Sequence, residues 1–268
     1  MEFHKNNGVE YLTFPSFSHL GFLNHAFSTR CGGVSQGEFA SMNLSFGRGD
    51  PQDYVIANYQ RFTEAAGFDF NSLVTSAQDH SANVKNVTDA DKGIGSKKPP
   101  MHSVDAIITN KRGVTIVTYY ADCTPLFFAD PVTRSIGLAH AGWRGTVAQI
   151  AKKTVEKMAA DFGTRPQDLV CAIGPCIGKC CYEVDDTVIL KVTQIANIDK
   201  NGLFTNKGGG KYMLDLQETN RRILQSAGVL PQNIELANLC TKCNSSLLWS
   251  HRATGGKRGT MAAFMAIK

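Results

Sequence analysis

Two short segments near the middle of the chain contain side chains that could act in catalysis or bind a metal. "YYADCTPLFFADP" spans residues 119–131 and "AHAGWRG" spans residues 139–145. They supply a thiol at Cys123, an imidazole at His140 and a guanidinium at Arg144, and "TSAQDHSANV" adds a second imidazole at His80. We expect Cys123, His140 and His80 at the ends of strands and Arg144 in the segment that leads into the next helix. Free backbone N–H groups at such places commonly bind ligands.

Two imidazoles and one thiolate form a ligand set that suits zinc and leaves a fourth tetrahedral position open. An open zinc site acts as a Lewis acid and lowers the pKa of a bound water to about 7. The same residues also suit a cysteine nucleophile, Cys123, with His140 as its base. A third interpretation is that they are ordinary packed residues, and their spacing alone does not decide among the three.

Asp122 lies beside Cys123 in sequence, but neighbouring residues of a strand point to opposite faces. A role for Asp122 in orienting a ligating imidazole would therefore require a bend in the chain at this point.

The segments that would position these residues are mostly short strands with fewer helices. The predicted strands are 72–78, 105–109, 114–121, 125–130, 135–141 and 169–174, with a C-terminal strand at 259–268. Residues 245–252 are predicted as the hairpin partner of that last strand, joined to it by the turn "ATGGKRG". The predicted helices are 53–66, 146–162, 184–196 and 216–227. This pattern predicts an α+β fold, a mixed β-sheet system flanked by helices, in one domain over residues 1–268.

Composition excludes several classes of protein. The net charge of +5 is scattered, with no basic block for a nucleic acid or a membrane surface, so small anionic ligands are the expected partners. No apolar run approaches the roughly 20 residues of a spanning helix. The N-terminus resembles no signal peptide, and we expect a cytoplasmic protein.

The chain has eight cysteines, which we expect to be mostly free and buried. "CTKC" at 240–243 could begin a zinc or redox site. However, it has no second CxxC, and the nearest candidate, "CIGKCC" at 176–181, has the wrong spacing for a zinc ribbon. Spacing therefore does not favour a structural zinc site here.

A series of motifs, in order from about residue 25 to the C-terminus, resembles one known family. The motifs are "TRCGGVSQGEFASMNLSFGRGDP", "AQDH", "YADCTPLFFADP", "GLAHAGWRGT", "GPCIGKCCYEV", "KYMLDL" and "SHRATGGKRGTMA". They resemble the YfiH/YlmD family, also called the DUF152 or multicopper polyphenol oxidase (laccase) domain family. This family includes purine nucleoside phosphorylases related to the human laccase-domain protein FAMIN, and the chain resembles its YlmD branch.

The resemblance implies a single zinc held by His80, Cys123 and His140, which are also the catalytic centre. It implies a YfiH-like α+β fold related to a cysteine-hydrolase-like group. The implied activity is phosphorolysis of adenosine, inosine, guanosine and S-methyl-5'-thioadenosine to base and sugar 1-phosphate, together with adenosine deamination. The implied partners are purine nucleosides and phosphate, and the chain is expected to be a monomer or a homodimer.

Several polar residues of the motifs could bind such substrates. Arg30 and Arg144 are candidates for phosphate, because a guanidinium binds phosphate bidentately, and Arg258 in the C-terminal loop is a further candidate. Asn43 could hydrogen-bond ribose or base. Trp143 could stack on a purine or pack in the core.

Alternative functions remain at this point. The chain has seven histidines and no HxH pair, which argues against a copper-dependent polyphenol oxidase, although adventitious copper binding fits an N/S site. A cysteine hydrolase or a peptidoglycan-precursor editing factor would use Cys123 and His140. A metal-stabilised binding module would need no catalytic residues. The H-x-E and P-C-x-x-C pair of nucleobase deaminases is absent, so no proton shuttle is identified.

Overall fold

Two large β-sheets that pack face to face form the centre of the protein. The computed structural model describes residues 1–268. The first sheet has the strand order β1-β2-β3-β16-β8-β4-β6, the second β15-β11-β9-β10-β7-β5, and a small third sheet β12-β14-β13. The strands are β1 (Glu2–Asn6), β2 (Val9–Thr13), β3 (Leu23–Ser28), β4 (Leu73–Ala77), β5 (Val84–Asn86), β6 (Met101–His102), β7 (Ala106–Thr109), β8 (Thr115–Tyr120), β9 (Thr124–Asp130), β10 (Ser135–Ala141), β11 (Val170–Ile173), β12 (Glu183–Asp185), β13 (Phe204–Gly208), β14 (Lys211–Leu214), β15 (Ile234–Leu236) and β16 (Met261–Ile267).

Helices cover the outer faces of the two sheets. They are α1 (Pro15–Ser18), α2 (Gln52–Ala66), α3 (Trp143–Val147), α4 (Ile150–Phe162), α5 (Asp186–Thr193), α6 (Leu216–Ser226) and α7 (His251–Thr254). Helix α2 packs on the first sheet through residues such as Phe62, and α4 packs on the second through residues such as Met158. The result is a layered α+β fold, as the sequence predicts.

Alternating side chains explain why the central strands lie between two layers. On β9, Phe127 and Ala129 enter the core between the two sheets, whereas Leu126 and Phe128 face α4 and α6. On β16, Met261 and its alternate neighbours enter the same central core, whereas Phe264 packs towards α2. Because both faces of these strands are covered, their sequences are apolar at nearly every position.

The predicted C-terminal hairpin is wrong. Residues 245–250 form a turn, a bend and irregular chain, and 251–254 form α7, with the Ser250 side chain accepting a hydrogen bond from the Ala253 N–H. Strand β16 instead pairs with β3 on one side and β8 on the other. Leu248 and Trp249 are buried as loop side chains, so their hydrophobicity is explained by core packing without strand pairing.

The predicted helix 146–162 is two helices. Gln149 adopts a left-handed conformation (φ 57°) that separates α3 from α4, and Gly163 (φ 75°) ends α4 as expected. Gly67 (φ 73°) ends α2 in the same way. The other predicted helices and the six internal strands match observed elements to within a few residues. No helix has both the length and the apolar character needed to cross a bilayer.

A buried histidine in β3 makes folding stability depend on pH. The Phe14 N–H donates to His25 Nε2 at 2.7 Å, and the ring lies against Phe14 and Phe17. Burial of the imidazole is the main cause that lowers the pKa of His25 to about 4. A neutral ring is therefore required in the folded state, because the protonated ring would lose its acceptor atom.

We expect the His25 contribution to stability to be complete above pH 6.5 and to be lost as the pH falls towards 4. In that range the unfolded chain binds more protons than the folded chain. The free energy of unfolding therefore falls by about 3 kcal/mol between the two limits. Urea denaturation at pH 7 and pH 4.5 measures the free energy of unfolding at the two pH values. The difference between them should be smaller in His25→Gln than in wild type, and it should be unchanged in His19→Gln, an exposed control. An equal difference in wild type and His25→Gln would contradict the prediction.

Candidate metal centre

Three separate strand ends bring the predicted ligands together. His80 lies in the loop after β4, Cys123 lies in the turn between β8 and β9, and His140 lies near the end of β10. The Cys123 Sγ is 3.8 Å from His80 Nε2, and the two imidazole rings are 4.9 Å apart between centroids. Strand pairing of β9 with β10 sets His140 opposite Pro125, close to the turn that carries Cys123.

The three side chains fit a zinc ion. One ligand atom from each lies within 4.8 Å of the others. Tetrahedral zinc with Zn–S and Zn–N bonds of about 2.3 and 2.1 Å holds such atoms about 3.6 Å apart. Their close approach requires glycine at position 142, where a Cβ would lie 2.8 Å from His80 Cδ2 and 3.0 Å from Cys123 Sγ. His80 is exposed while His140 is buried, so the group is open to solvent on the His80 side.

Asp105, a fully buried carboxylate just before β7, orients both histidines. Its Oδ1 accepts from His140 Nδ1 at 2.8 Å and from the His80 backbone N–H at 3.1 Å. Its Oδ2 accepts from the Ser81 N–H and the Ser81 hydroxyl, both at 2.8 Å. Because Nδ1 of His140 donates to Asp105, its Nε2 remains free to bind a metal, which is the usual carboxylate–histidine–metal arrangement.

The charges of the centre are mutually dependent. Burial alone would raise the pKa of the Cys123 thiol, but His140 and His80 outweigh it and lower that pKa to about 6. Burial alone would lower the pKa of His140, but the Cys123 thiolate and Asp105 raise it to about 9. Burial alone would raise the pKa of Asp105, but the same imidazole and the Ser81 donors outweigh it and lower that pKa to about 2. The thiol is therefore readily ionised, as a metal ligand or a nucleophile must be.

The chain does bend beside Cys123, but the bend directs Asp122 elsewhere. Asp122 has a left-handed backbone conformation (φ 84°). Its carboxylate accepts from the Thr241 hydroxyl at 2.6 Å and from the Arg252 N–H at 2.7 Å. Asp122 thus ties the Cys123 turn to the C-terminal loops, while Asp105 takes the orienting role.

Two cavities meet at His80 and Cys123. The first, about 330 Å³, is lined by both histidines and by residues that include Phe46, Ser76, Gln78 and Tyr119. The second, about 440 Å³, is lined by residues that include Trp143, Arg144, Tyr182, His251 and Arg252. Both volumes lie in the range typical of small-molecule sites. Arg48 and Arg258 line both cavities.

Arg258 is the most buried cation of the pocket. Only 8% of the residue is exposed, and its buried Nε has no hydrogen-bond partner. Its Nη1 donates to the Gly259 carbonyl and the Thr260 hydroxyl. Burial first, and then the neighbouring positive charge of Arg48, lower the pKa of Arg258 to about 10. Two cations held close together favour an anion between them.

Of the other predicted substrate residues, Trp143 and Arg144 line the second cavity. Arg144 is exposed there, with its guanidinium 4.4 Å from the Trp143 ring centroid. The Arg30 guanidinium donates to the carbonyls of Ser245 and Ala40 and lies 3.9 Å from the Trp249 ring centroid. It lines neither cavity.

Asn43 is completely buried and fully hydrogen-bonded within the scaffold. Its amide donates to Asp50, and its carbonyl oxygen accepts from the Thr260 and Ser45 N–H groups. These bonds hold the Ser45 and Thr260 segments that line the first cavity. The structure therefore places Asn43 behind the cavity wall.

Sequence reasoning missed two residues of the centre. Asp105 begins the predicted strand 105–109, and an acidic residue at the start of an otherwise apolar strand is the signal that could have identified it. Arg48 lies between two glycines in "FGRGDP", and nothing in this local sequence distinguishes it from a solvated surface arginine.

Comparison with known proteins agrees with this geometry. A family model described as "Multi-copper polyphenol oxidoreductase laccase" matches residues 24–268, so the chain belongs to this laccase-domain family. It is 37% identical over 244 residues to "Purine nucleoside phosphorylase YlmD" of Bacillus subtilis, covering 90% of this chain and 87% of that protein. It is 36% identical over 253 residues to the human "Purine nucleoside phosphorylase LACC1", covering 91% of this chain and 55% of that protein.

Solved structures confirm the fold. The crystal structure of YlmD from Geobacillus stearothermophilus superposes with a TM-score of 0.93 at 34% identity, covering 99% of this chain and 98% of that one. The Bacillus licheniformis protein YfiH gives the same TM-score at 33% identity, with 99% of both chains covered. The predicted α+β class and the predicted family are thereby confirmed.

Removing the Asp105 carboxylate should weaken metal binding without removing a ligand. We expect Asp105→Asn to lower zinc affinity about 10- to 100-fold, because His140 loses its negatively charged partner and the amide NH2 would face the Ser81 donors. Competition with a chromophoric chelator measures the affinity. Asp53→Asn, an exposed substitution in α2, is the matched control and should bind zinc like wild type. Unchanged affinity in Asp105→Asn would contradict this role.

Proposed function

We propose that the protein is a zinc-dependent purine nucleoside phosphorylase that also deaminates adenosine. The proposed substrates are adenosine, inosine, guanosine and S-methyl-5'-thioadenosine, with phosphate as the second substrate. The observation that carries the proposal is one cavity lined both by a His₂Cys ligand set and by two arginines, Arg48 and Arg258. Relatives named purine nucleoside phosphorylase at 36–37% identity support the same activity.

His80, Cys123 and His140 are the residues that would hold the zinc. When bound there, zinc would supply Lewis acidity beside the cavity. Asp105 accepts from His140 Nδ1, which leaves Nε2 as the ring nitrogen that would bind the metal on losing its proton. Through its bonds to His80 and Ser81, Asp105 also holds the loop that carries the other imidazole. Glycine at position 142 keeps the space around the ligands clear.

Arg258 and Arg48 are the proposed phosphate-binding residues. A guanidinium binds phosphate oxygens through parallel N–H groups, and the Arg258 Nε is a buried donor without a protein partner. Two cations in one cavity would offset the charge of phosphate. They would also place its oxygens near His80 and Cys123, the two ligand residues that both cavities share. Arg144 remains a proposed contact in the second cavity.

The first cavity suits the nucleoside. Phe46 and Tyr119 provide ring faces on which a purine can stack, and Ser76 has a buried hydroxyl without a partner. Ser76 is therefore free to hydrogen-bond a polar group of the substrate. The Gln78 side chain is already hydrogen-bonded to the Tyr119 backbone through both polar atoms of its amide. It therefore contributes to the shape of the first cavity and does not hydrogen-bond the substrate.

A cysteine hydrolase is the second candidate, and one observation favours it. Cys123 and His140 mutually stabilise a thiolate and an imidazolium, which is the ionisation state of a cysteine nucleophile and its acid–base partner. Peptidoglycan-precursor editing would be a role of this kind. A copper oxidase is less well supported, because the other five histidines join no group of three potential ligands.

The decisive measurement is the phosphate dependence of base release. We expect inosine to yield hypoxanthine and ribose 1-phosphate only when phosphate is present. Cys123→Ser should lose this activity together with the zinc bound at the His80–Cys123–His140 centre. Cys31→Ser, outside both cavities, is the matched control and should retain both. Hypoxanthine release that ignores phosphate would refute phosphorolysis. A Cys123→Ser protein that holds zinc normally but is inactive would favour the thiol mechanism.

Substitution of Arg258 tests the phosphate site. Arg258→Lys keeps the charge but loses the forked donors, so we expect the kcat/KM for phosphate to fall about 10- to 100-fold, the equivalent of one charged hydrogen bond. Steady-state kinetics with varied phosphate measures the effect. Arg165→Lys on the surface should change nothing, and Arg30→Lys should lower the melting temperature and leave the KM for phosphate unchanged. An unchanged phosphate KM in Arg258→Lys would contradict the assignment.

A further inference from the structure

Four cysteines that are distant in sequence form a second group of potential metal ligands. Cys180 and Cys181 lie in the loop between β11 and β12, and Cys240 and Cys243 lie in the loop after β15. Their four Sγ atoms all lie within 4.8 Å of one another. The expectation that most cysteines are buried is wrong for this group: Cys180 and Cys243 are exposed, and Cys171 and Cys176 are the two buried cysteines of the chain.

The distances match tetrahedral coordination by sulfur. Cys243 Sγ is 3.6 Å from Cys180 Sγ and 3.5 Å from Cys181 Sγ. Zinc with four Zn–S bonds of about 2.3 Å holds its sulfurs about 3.8 Å apart. Disulfide sulfurs are about 2.05 Å apart, and all eight cysteines are free.

The backbone around the sulfurs is arranged as in a metal site. The Gly178 N–H donates to Cys240 Sγ at 3.2 Å, a contact that stabilises sulfur as a thiolate. A Cβ at Gly178 would lie 3.1 Å from Cys240 Cβ and 3.3 Å from Cys180 Sγ, so glycine permits the two loops to approach. A β-bridge between Cys176 and Cys240 aligns the loops, and the Thr241 N–H donates to the Cys176 carbonyl at 2.9 Å.

We propose that Cys180, Cys181, Cys240 and Cys243 bind a structural zinc ion. Four thiolate ligands close the tetrahedron, so this ion would have no open position for substrate. Binding forms four Zn–S bonds and releases the thiol protons to solvent, with no change of oxidation state. The site is separate from the His80–Cys123–His140 centre and does not rest on the proposed activity.

The position of the cysteine site indicates what it stabilises. Thr241, between Cys240 and Cys243, donates its hydroxyl to Asp122, the residue before Cys123. Asp122 also accepts from the Arg252 N–H, and Tyr182, next to Cys181, lines the second cavity together with Arg252. A metal at this point would therefore fix the loop whose Tyr182 lines the second cavity, and also the loop whose Thr241 supports Asp122 in the wall of that cavity.

Metal content of the full chain tests the proposal. We expect protein purified under reducing conditions, without added metal, to contain about two zinc ions per chain, as measured by inductively coupled plasma mass spectrometry. Cys243→Ser and Cys123→Ser should each contain one, and the double variant none. Cys31→Ser is the matched control and should contain two. The cysteine site would be overturned if the wild type held one zinc ion that Cys243→Ser retains and Cys123→Ser loses. Iron in place of the second zinc would overturn the assignment of the metal as zinc.

Cobalt substitution separates the two sites without relying on the stability of the Cys243 variant. Co²⁺ loaded into Cys123→Ser should show the strong sulfur-to-cobalt charge-transfer absorption of a four-thiolate site. Its absence would overturn the proposal. Intact mass of the wild type under non-reducing conditions provides another test: a loss of two hydrogens per cysteine pair, with one zinc per chain, would show that these cysteines form disulfides and not a zinc site.

Discussion

The buried carboxylate of Asp105 is the interaction on which the candidate centre depends. An uncompensated charge in a protein interior is strongly destabilising, so a buried carboxylate requires donors around it. Here the loop after β4 supplies backbone and hydroxyl donors, and His140 supplies a ring N–H from the neighbouring strand. The same bonds that satisfy Asp105 therefore orient the His140 imidazole and fix the backbone that carries His80 beside Cys123.

The loop that carries His80 shows the consequence of this constraint. His80 has a left-handed backbone conformation (φ 65°), which is costly for a residue other than glycine. Its N–H and that of Ser81 both point at Asp105, so the hydrogen bonds offset the conformational cost. Asp122 (φ 84°) provides a second such bend beside Cys123, held by Thr241 and Arg252. The centre is thus assembled from irregular backbone attached to a rigid pair of sheets.

Much of the fold was predictable because its signals are local. Turn residues and short apolar runs identified the internal strands of both sheets, and apolar periodicity with terminal glycines identified α2, α4 and α6. The hairpin prediction at 245–252 failed because hydrophobicity reports burial and not pairing. Trp249 is buried as a loop side chain, while β16 takes its partners from segments far away in sequence.

The sequence by itself determined the family, the α+β class and the three metal-ligand candidates, since motif spacing and residue chemistry are encoded along the chain. Tertiary structure alone decided which polar residues share the pocket. Arg258 and Arg48 line it, whereas the donors of Arg30 and Asn43 are used within the scaffold. It also brought Cys180 and Cys181 to Cys240 and Cys243, across some 60 residues of intervening chain. Such contacts depend on how sheets and loops pack, and no local pattern records that.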